Sequence, residues 1–153
     1  MLMTDFELLR RLVLAAFIGG MLGLEREVRQ KSAGLRTNIL IAVGSALFTV
    51  MSIEMAEGPG ADPSRIAAQI VTGIGFLGAG AIMRTRSGVQ GLTTAATVWV
   101  NAALGVTAGA GRYHLALIGA AVTIIVLLVL APLERALEQR LPQRRTGGGS
   151  TAA

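Results

Sequence analysis

Long apolar segments that alternate with short basic clusters are the feature of this chain that most constrains its fold. A helix that crosses a bilayer needs about 20 mainly apolar residues. Candidate segments cover residues 6–24, 37–55, 66–83, 92–110 and 115–131. The first contains Arg10 and Arg11, and a secretory signal peptide is its alternative interpretation; the acids Asp5 and Glu7 and the absence of a cleavage motif favour a retained helix. The pattern predicts an all-α integral membrane protein with five transmembrane helices.

The composition agrees with a surface that faces lipid. Hydrophobic residues make up 52% of the chain and charged residues only 15%, whereas soluble domains carry about 25% charged residues. A chain this apolar does not stay disordered in water, and its polar residues are too few to coat a soluble domain. The net charge of +5 does not indicate nucleic-acid binding, because the basic residues form no stripe interleaved with aromatic side chains.

The basic residues predict the orientation of the helices. Ten lie on one side of the predicted bundle: Arg26, Arg29, Lys31, Arg36, Arg84, Arg86, Arg135, Arg140, Arg144 and Arg145. Four lie on the other side: Arg10, Arg11, Arg65 and Arg112. Because cytoplasmic loops carry the excess of positive charge, we predict a multi-pass bacterial inner-membrane protein with its N-terminus outside and its C-terminus in the cytoplasm.

Prolines mark two predicted boundaries. The Asp-Pro-Ser sequence at 62–64 predicts an N-cap followed by Pro at the first position of the third helix. Pro132 is expected to end or kink the fifth helix. Leucines at every fourth position then predict an amphipathic helix over residues 132–142 at the inner interface. Residues 143–153 are predicted to form a disordered tail.

An internal repeat is visible when the chain is compared with itself at an offset of 57 residues. Residues 23–47 and 80–104 then share eight identities, including the Gly-Leu-x-Thr elements at 34–37 and 91–94. Abundant Gly and Ala raise the number of chance matches, so duplication and coincidence both remain open. A true repeat would make two helical hairpins, related by an axis along the membrane normal, with the fifth helix added.

Glycines in the apolar segments are predicted to pack helices closely, because they let two backbones approach. The sequence at 73–78 matches the dinucleotide-binding pattern G-x-G-x-x-G, but that interpretation needs a preceding strand and an acid about 20 residues later, which are missing. We therefore interpret these glycines as a packing face. The predicted packing residues are Gly19, Gly23, Gly73, Gly75, Gly78, Gly80, Gly105 and Gly109.

Polar residues at the predicted cytoplasmic end form the candidate functional cluster, which we call the rim. It consists of Glu25, Arg26, Glu27, Arg36, Thr37, Thr93 and Thr94. A helix N-terminus favours a carboxylate, so we expect Glu25 or Glu27 to reach the start of the second or fourth helix, with Arg36 completing the pair. The alternative is an ion-pair network that only anchors the helices.

Polar residues within the apolar segments need partners in hydrocarbon. Ser45, Gln69 and Asn101 are the principal ones, and we expect Gln69 and Asn101 to face the bundle interior. Interhelical hydrogen bonding is the plainer interpretation and a polar pathway the alternative. No nucleophile has a base at workable spacing, and no cysteine is present. We therefore predict no enzyme activity, no cofactor and no metal site.

Several segments together resemble the MgtC/SapB family of bacterial inner-membrane proteins. The resemblance covers about residues 6–131. It is carried by Glu-Arg-Glu at 25–27, Ala-Gly-Leu-Arg-Thr at 33–37, Gly-Ser-Ala-Leu-Phe at 44–48, Asp-Pro-Ser-Arg-Ile-Ala-Ala-Gln-Ile-Val at 62–71, Gly-Ile-Gly-Phe-Leu-Gly-Ala-Gly at 73–80 and Gly-Leu-Thr-Thr-Ala-Ala at 91–96.

The resemblance implies a five-span protein linked to growth under magnesium limitation, to acid stress and to survival of pathogens in macrophages. One mechanism described for the family is inhibition of the rotary ATP synthase; magnesium transport is not established for it. Longer members carry an ACT-like C-terminal domain, and we expect this chain to correspond to the membrane module alone. The prediction is a non-enzymatic regulator of membrane energetics or ion homeostasis, with a small oligomeric transporter or channel as the alternative. We expect a lipid bilayer environment, a homo-oligomer (a dimer favoured) and contact with another inner-membrane protein.

Overall fold

Helices dominate the computed structural model of the chain, which describes residues 3–86 and 88–140. The elements are α1 (Asp5–Val28), α2 (Leu35–Glu54), α3 (Arg65–Gly80), β1 (Met83–Thr85), β2 (Gly88–Gln90), α4 (Leu92–Gly109) and α5 (Tyr113–Arg140). Each helix overlaps one of the apolar segments identified in the sequence, so the helical fold class is confirmed.

The centre of the bundle is formed by α1, α2 and α4. Contacts between successive turns show that α4 runs parallel to α2 and that α1 runs antiparallel to both. Small and branched side chains fill the space between the three helices and α5. The main core consists of Ala15, Ile18, Leu22, Ala42, Ala46, Leu104, Ala108, Ala116 and Ala120.

Glycines allow α1 and α4 to touch the backbone of α2. A Cβ atom added at Gly19 would lie 2.6 Å from the carbonyl oxygen of Asn38, and one at Gly23 would lie 2.7 Å from the Cα atom of Leu35. Gly105 and Gly109 lie equally close to the α2 backbone. These G-x-x-x-G pairs therefore sit at helix contacts, where the sequence placed them.

The glycines of α3 are placed differently from the prediction. Only Ile70, Ile74 and Gly78 of this helix are buried, and they form a single stripe facing α2 and α4. A Cβ added at Gly73, Gly75 or Gly80 would meet no atom within 4 Å, and at Gly78 it would make ordinary contact with Ala95. The predicted packing face of α3 is therefore wrong within the chain, because the isoleucine stripe sets the rotation of the helix.

Polar groups fix the start of α3. Ser52 of α2 accepts hydrogen bonds from the backbone N–H groups of Ile66 and Ala67 at 3.1 and 3.3 Å, which caps the first turn from a neighbouring helix. In the preceding loop, Oδ1 of Asp62 accepts from the backbone and the hydroxyl of Ser64. These hydrogen bonds lower the pKa of Asp62, because they stabilise its charged form. The helix begins two residues later than the predicted start at Pro63.

A β-hairpin follows α3 where the sequence predicted helix up to residue 83. Met83 pairs with Gln90, Arg84 with Val89 and Thr85 with Gly88, in antiparallel register. The chain returns to α4 through Gly91, whose φ of 88° lies in the left-handed region. A side chain there would also overlap the carbonyl of Ala81, so only glycine allows this return.

The last helix is longer than predicted. α5 runs without interruption from Tyr113 to Arg140 and contains Pro132. The predicted end of the helix at this proline, with a separate helix over 132–142, is therefore wrong. The predicted alternative, a kink, agrees with an uninterrupted helix, because a proline removes one backbone donor and crowds the carbonyl four residues earlier, which can bend a helix without ending it. Residues 141–142 of that segment and the predicted tail at 143–153 lie outside the described residues.

Two helices in the described part of the chain combine the length and the apolar composition needed to cross a membrane. α2 and residues 113–130 of α5 are long and apolar enough to span a bilayer. α3 is apolar but has only 16 residues. The structure thus supports a membrane protein by composition and helix length, while the full set of five spans remains a prediction.

Candidate functional site at the rim

Arg26 forms the centre of the rim. Its residue surface is only 4% exposed, and its Nη2 atom donates to Oγ1 of Thr94 at 3.0 Å. The hydroxyl of Ser32 lies 3.4 Å from the same oxygen. One buried guanidinium therefore connects the end of α1 to the start of α4 and to the loop between α1 and α2. Its Nε atom has no hydrogen-bond partner among the described residues.

Glu25 supplies negative charge beside this guanidinium. Its side chain is 8% exposed and lies 3.8 Å from Arg26 and 2.6 Å from Nε of Arg29. Neither carboxylate oxygen has a hydrogen bond of good geometry, so these contacts are Coulombic. The three residues carry a net charge of +1, since two guanidinium groups face one carboxylate.

Glu27 caps α2. Its Oε2 atom accepts a hydrogen bond from the backbone N–H of Leu35 at 3.0 Å, which satisfies one of the free donors at the helix N-terminus. A Cβ at Gly34 would overlap this oxygen, so the glycine makes room for the carboxylate. The sequence analysis predicted that Glu25 or Glu27 would contact the start of the second or fourth helix, and Glu27 makes this contact with the second.

Other members of the predicted rim do not join the cluster. Arg36, Thr37 and Thr93 are exposed, and Arg36 takes part in none of the ion pairs found in the described part of the chain. The predicted pair between Arg36 and an acid is therefore absent there. Ser32 and Arg29 take its place in the cluster, and neither had a pattern that distinguished it from a loop residue.

A pair of asparagines lies deeper in the bundle. Asn38 and Asn101 are both completely buried, and Nδ2 of Asn101 donates to the backbone carbonyl of Asn38 at 2.7 Å and to its Oδ1 at 3.1 Å. Asn38 in turn donates to the carbonyls of Ala33 and Gly34. The network ties α4 to α2 and to the loop before α2. Asn101 faces the interior as predicted; Asn38 was missed because it follows closely after a loop.

Gln69 is exposed, contrary to the prediction that it faces the interior. It lines a lateral groove of about 620 Å³ between α2 and α3. The groove is mostly apolar, and its polar residues are Thr37, Ser45 and Gln69. We call this feature the α2–α3 groove. It lies between the two helices because only one stripe of α3, formed by Ile70, Ile74 and Gly78, is buried.

A second polar network closes the opposite end of the bundle. Arg11 donates to the last carbonyl of α4, at Gly109, at 2.8 Å and to Oε1 of Glu7 at 3.0 Å. Tyr113 donates its hydroxyl to the same carboxylate, and the guanidinium of Arg10 lies 5.0 Å from the Tyr113 ring. The sequence analysis counted Arg10 and Arg11 only as topology charges and used Glu7 only as an argument against a signal peptide, although Glu7 and Arg11 stand at the i, i+4 spacing of a helical ion pair.

The two polar networks consist of hydrogen bonds and charge pairs. No group of three or more metal-ligating His, Asp or Glu side chains occurs within residues 3–86 and 88–140. Both carboxylates of the rim already have partners: Glu25 lies against arginines, and Glu27 accepts from the N-terminus of α2. The arrangement can hold three helices and a loop in fixed positions at one end of the bundle.

Comparison with known proteins identifies relatives at high identity. The model of the MgtC family matches residues 12–136. The chain is 48% identical to the putative magnesium transporter YhiD of Escherichia coli K12, over 83% of this chain and 62% of the relative. It is 48% identical to protein MgtC of Brucella abortus strain 2308, over 85% and 54%, and to protein MgtC of Salmonella typhimurium strain 14028s, over 90% and 57%.

The coverage limits what these relatives imply. The chain spans less than two thirds of the length of the curated relatives described above. No solved structure matches it significantly. The family model, however, covers most of the chain: α2, α3, α4, the rim and the asparagine pair lie wholly within the matched range, and α1 and α5 lie mostly within it. The chain therefore belongs to the MgtC family.

Proposed function

We propose that the chain is a non-enzymatic inner-membrane protein that regulates membrane energetics or ion homeostasis under magnesium limitation or acid stress. It acts through contact with another membrane protein. Membership of a family with magnesium-related members supports the physiological setting. The proposed contact with another membrane protein is supported by the contrast between a closed bundle interior and an open lateral surface.

The closed interior is the observation that carries the proposal. Asn101 donates to Asn38 in the buried space between α4 and the first turn of α2, and glycines bring α1 and α4 against the α2 backbone on either side. The groups near the centre are neutral amides and hydroxyls. A divalent cation prefers several oxygen ligands that include carboxylates, and the described carboxylates of α1 lie only near its two ends. This arrangement suits a rigid scaffold better than a cation pathway.

The α2–α3 groove is the surface that we assign to a partner helix. Its volume of about 620 Å³ falls within the usual range of binding pockets, about 300–1,000 Å³. Gly44 and Gly73 line it, and a Cβ at either would meet nothing within 4 Å. Gln69, which is exposed, offers hydrogen bonds to a polar group on the partner. A second copy of this chain is the alternative occupant.

Topology belongs to the same proposal. We infer five membrane crossings, with the N-terminus outside and the C-terminus in the cytoplasm. The antiparallel direction of α1 relative to α2 and α4 and the ten-to-four distribution of basic residues support it. Reporter fusions at Ser32 and Gly60 should report the cytoplasm and the outside, respectively. The same side for both would remove the span formed by α2 and overturn the arrangement.

A groove-filling variant tests the contact. Gly73→Leu places a large side chain in the α2–α3 groove, while Gly75→Leu places it on a part of α3 that does not line the groove. We expect both proteins to insert and to unfold like wild type. In a deletion strain grown at low magnesium or low pH, only Gly73→Leu should lose the effect of the gene. Equal activity of both variants would contradict a role for the groove.

Transport of a cation is the second candidate function, favoured by the three polar residues that line the groove. The purified protein in vesicles that enclose a fluorescent magnesium indicator separates the two functions. Our proposal predicts magnesium entry no faster than in protein-free vesicles. Entry that saturates with magnesium and is abolished in Gln69→Leu would establish transport and refute the regulatory function. Crosslinking in the same vesicles distinguishes a dimer from a monomer.

A further inference from the structure

The β-hairpin between α3 and α4 is not used by the proposed function. Every described residue of its two strands is exposed, and it projects from the end of the bundle that carries the rim. Arg84 and Val89 are register partners and share one face, while Met83 and Gln90 share the other. Each face therefore combines a polar side chain with an apolar one.

Unpaired positive charge surrounds the hairpin. Lys31, Arg36, Arg84 and Arg86 are exposed, and the ion pairs in the described part of the chain include none of them. The contact between Ser32 and Thr94 brings the loop before α2 next to the start of α4, where the hairpin ends. The nearby acids do not neutralise these cations, since Glu25 lies against two arginines and Glu27 caps α2.

Apolar side chains extend from the same region. Met83 is 60% exposed, Val89 53% and Leu92 58%, and Ile82 beside them is 40% exposed. Exposed apolar groups of this size favour insertion into the acyl region, while basic groups stay at the headgroups. A soluble partner protein would have to match both the charge and the apolar side chains, whereas a bilayer surface offers both at the depth where the helices end.

We propose that this hairpin is a binding site for anionic phospholipid headgroups, with Arg84 and Arg86 as the charged contacts and Met83, Val89 and Leu92 inserted beneath them. The proposal needs only that the chain lies in a bilayer, and it depends neither on the function in magnesium homeostasis nor on which side the hairpin faces. It goes beyond the positive-inside bias, because that bias concerns orientation during insertion and requires no lipid preference in the folded protein.

The single tryptophan of the chain provides the assay. Trp99 is exposed on α4, and at about 1.5 Å per residue it lies about 10 Å from Leu92. The full chain is reconstituted in phosphatidylcholine vesicles that contain phosphatidylglycerol. Energy transfer from Trp99 is then measured to a trace of dansyl-labelled phosphatidylglycerol or dansyl-labelled phosphatidylcholine. We expect stronger transfer to the anionic lipid, and the difference should decrease as salt is added.

Variants assign the preference to the hairpin. A basic residue near an anionic surface contributes about 1 kcal/mol, which corresponds to about a fivefold change in local lipid enrichment for each arginine at low salt. Arg84→Gln/Arg86→Gln should therefore lose most of the preference, and Arg84→Lys/Arg86→Lys should keep it. The matched control is Arg65→Gln/Arg112→Gln, two exposed arginines near the opposite end. Circular dichroism confirms that each variant is folded.

Several outcomes would overturn the proposal. Equal transfer to the two labelled lipids in the wild-type protein would show that the hairpin has no lipid preference. Equal loss in the hairpin and control variants would indicate a general effect of net charge. A preference that survives Arg84→Gln/Arg86→Gln would place the lipid elsewhere. Loss of binding to an acidic membrane protein in this variant, without any lipid preference in the wild type, would assign the hairpin to a protein partner instead.

Discussion

Replacing Gly105 by alanine is the sharpest test of how the bundle is held together. The added Cβ atom would overlap the carbonyl oxygen of Ala42 and lie 2.8 Å from the Cβ atom of Ser45. Gly75→Ala is the matched control, because a Cβ there meets no atom within 4 Å. Both glycines lie inside helices, so both variants gain the same helix propensity, about 1 kcal/mol.

The magnitude follows from the distances. Restoring an ordinary contact with Ser45 means increasing the separation from 2.8 Å to about 3.4 Å, so α2 and α4 must separate by at least about 0.6 Å, and the carbonyl oxygen of Ala42 lies closer still. A gap of about 0.5–1 Å already loses a quarter to a half of the dispersion energy of the contacts along it. Overpacking of this kind costs about 1–3 kcal/mol. Because propensity cancels, this cost is the expected difference in free energy of unfolding between the two variants.

Reversible unfolding in mixed micelles, followed by circular dichroism, measures the difference. Gly105→Ala should unfold at a lower denaturant fraction than Gly75→Ala, and Gly75→Ala at a higher fraction than wild type. Gly105→Leu should fail to fold. If Gly105→Ala and Gly75→Ala have equal stability, α2 and α4 are not in backbone contact, and the arrangement of the central helices given above is wrong.

The remaining predictions concern the polar contacts. A double-mutant cycle with Asn38→Ala and Asn101→Ala should give a coupling of about 0.6 kcal/mol in unfolding, the average for interhelical hydrogen bonds in membranes; a coupling near zero would contradict the hydrogen bond between the two side chains. Glu27→Ala should destabilise by about 0.5–2 kcal/mol, because the N–H of Leu35 loses its acceptor, and Glu27→Gln should recover part of this loss; equal effects would show that only the charge matters. Arg11→Lys should cost about 1 kcal/mol, since one ammonium cannot serve both acceptors in the same geometry; unchanged stability would exclude an anchoring role at that end.

The helices and the close contacts of α1 and α4 were predictable because each depends on a local pattern. An apolar segment of sufficient length forms a helix, and paired glycines at Gly19 and Gly23 let a neighbour approach. The glycines of α3 show the limit of this reasoning. A glycine pattern says that a backbone can be approached, but the rotation set by Ile70, Ile74 and Gly78 decides whether it is.

The parts that escaped prediction depend on distant residues. Ser52 caps α3, and Ser32 reaches Thr94 on α4, and no spacing in the sequence connects these partners. The hairpin had a local signal in Gly88, but its strands have three residues each, too short for an alternating pattern to stand out. Pro132 was given two predicted outcomes, a helix end or a kink, and the end is wrong because α5 continues through this residue.

The offset of 57 residues explains why the two halves of the chain pack differently. It aligns the start of α2 at Gly34 with the start of α4 at Gly91, and both glycines are N-caps in the structure. It also aligns Gly19 with Phe76. Gly19 is buried against the α2 backbone, whereas Phe76 is 81% exposed.

An aromatic ring cannot occupy a contact that leaves no room for a Cβ atom, so α3 cannot pack on α4 in the way that α1 packs on α2. α3 instead turns its isoleucine stripe inward and leaves the α2–α3 groove open beside it. Phe76→Gly tests this argument directly. The test compares the reactivity of a cysteine at position 80 in two proteins, Gly80→Cys and Phe76→Gly/Gly80→Cys. If the ring alone prevents the closer packing, the cysteine should react more slowly with a water-soluble thiol reagent in the double variant. Equal reactivity of the two cysteines would show that the isoleucines, and not the ring, determine the position of α3.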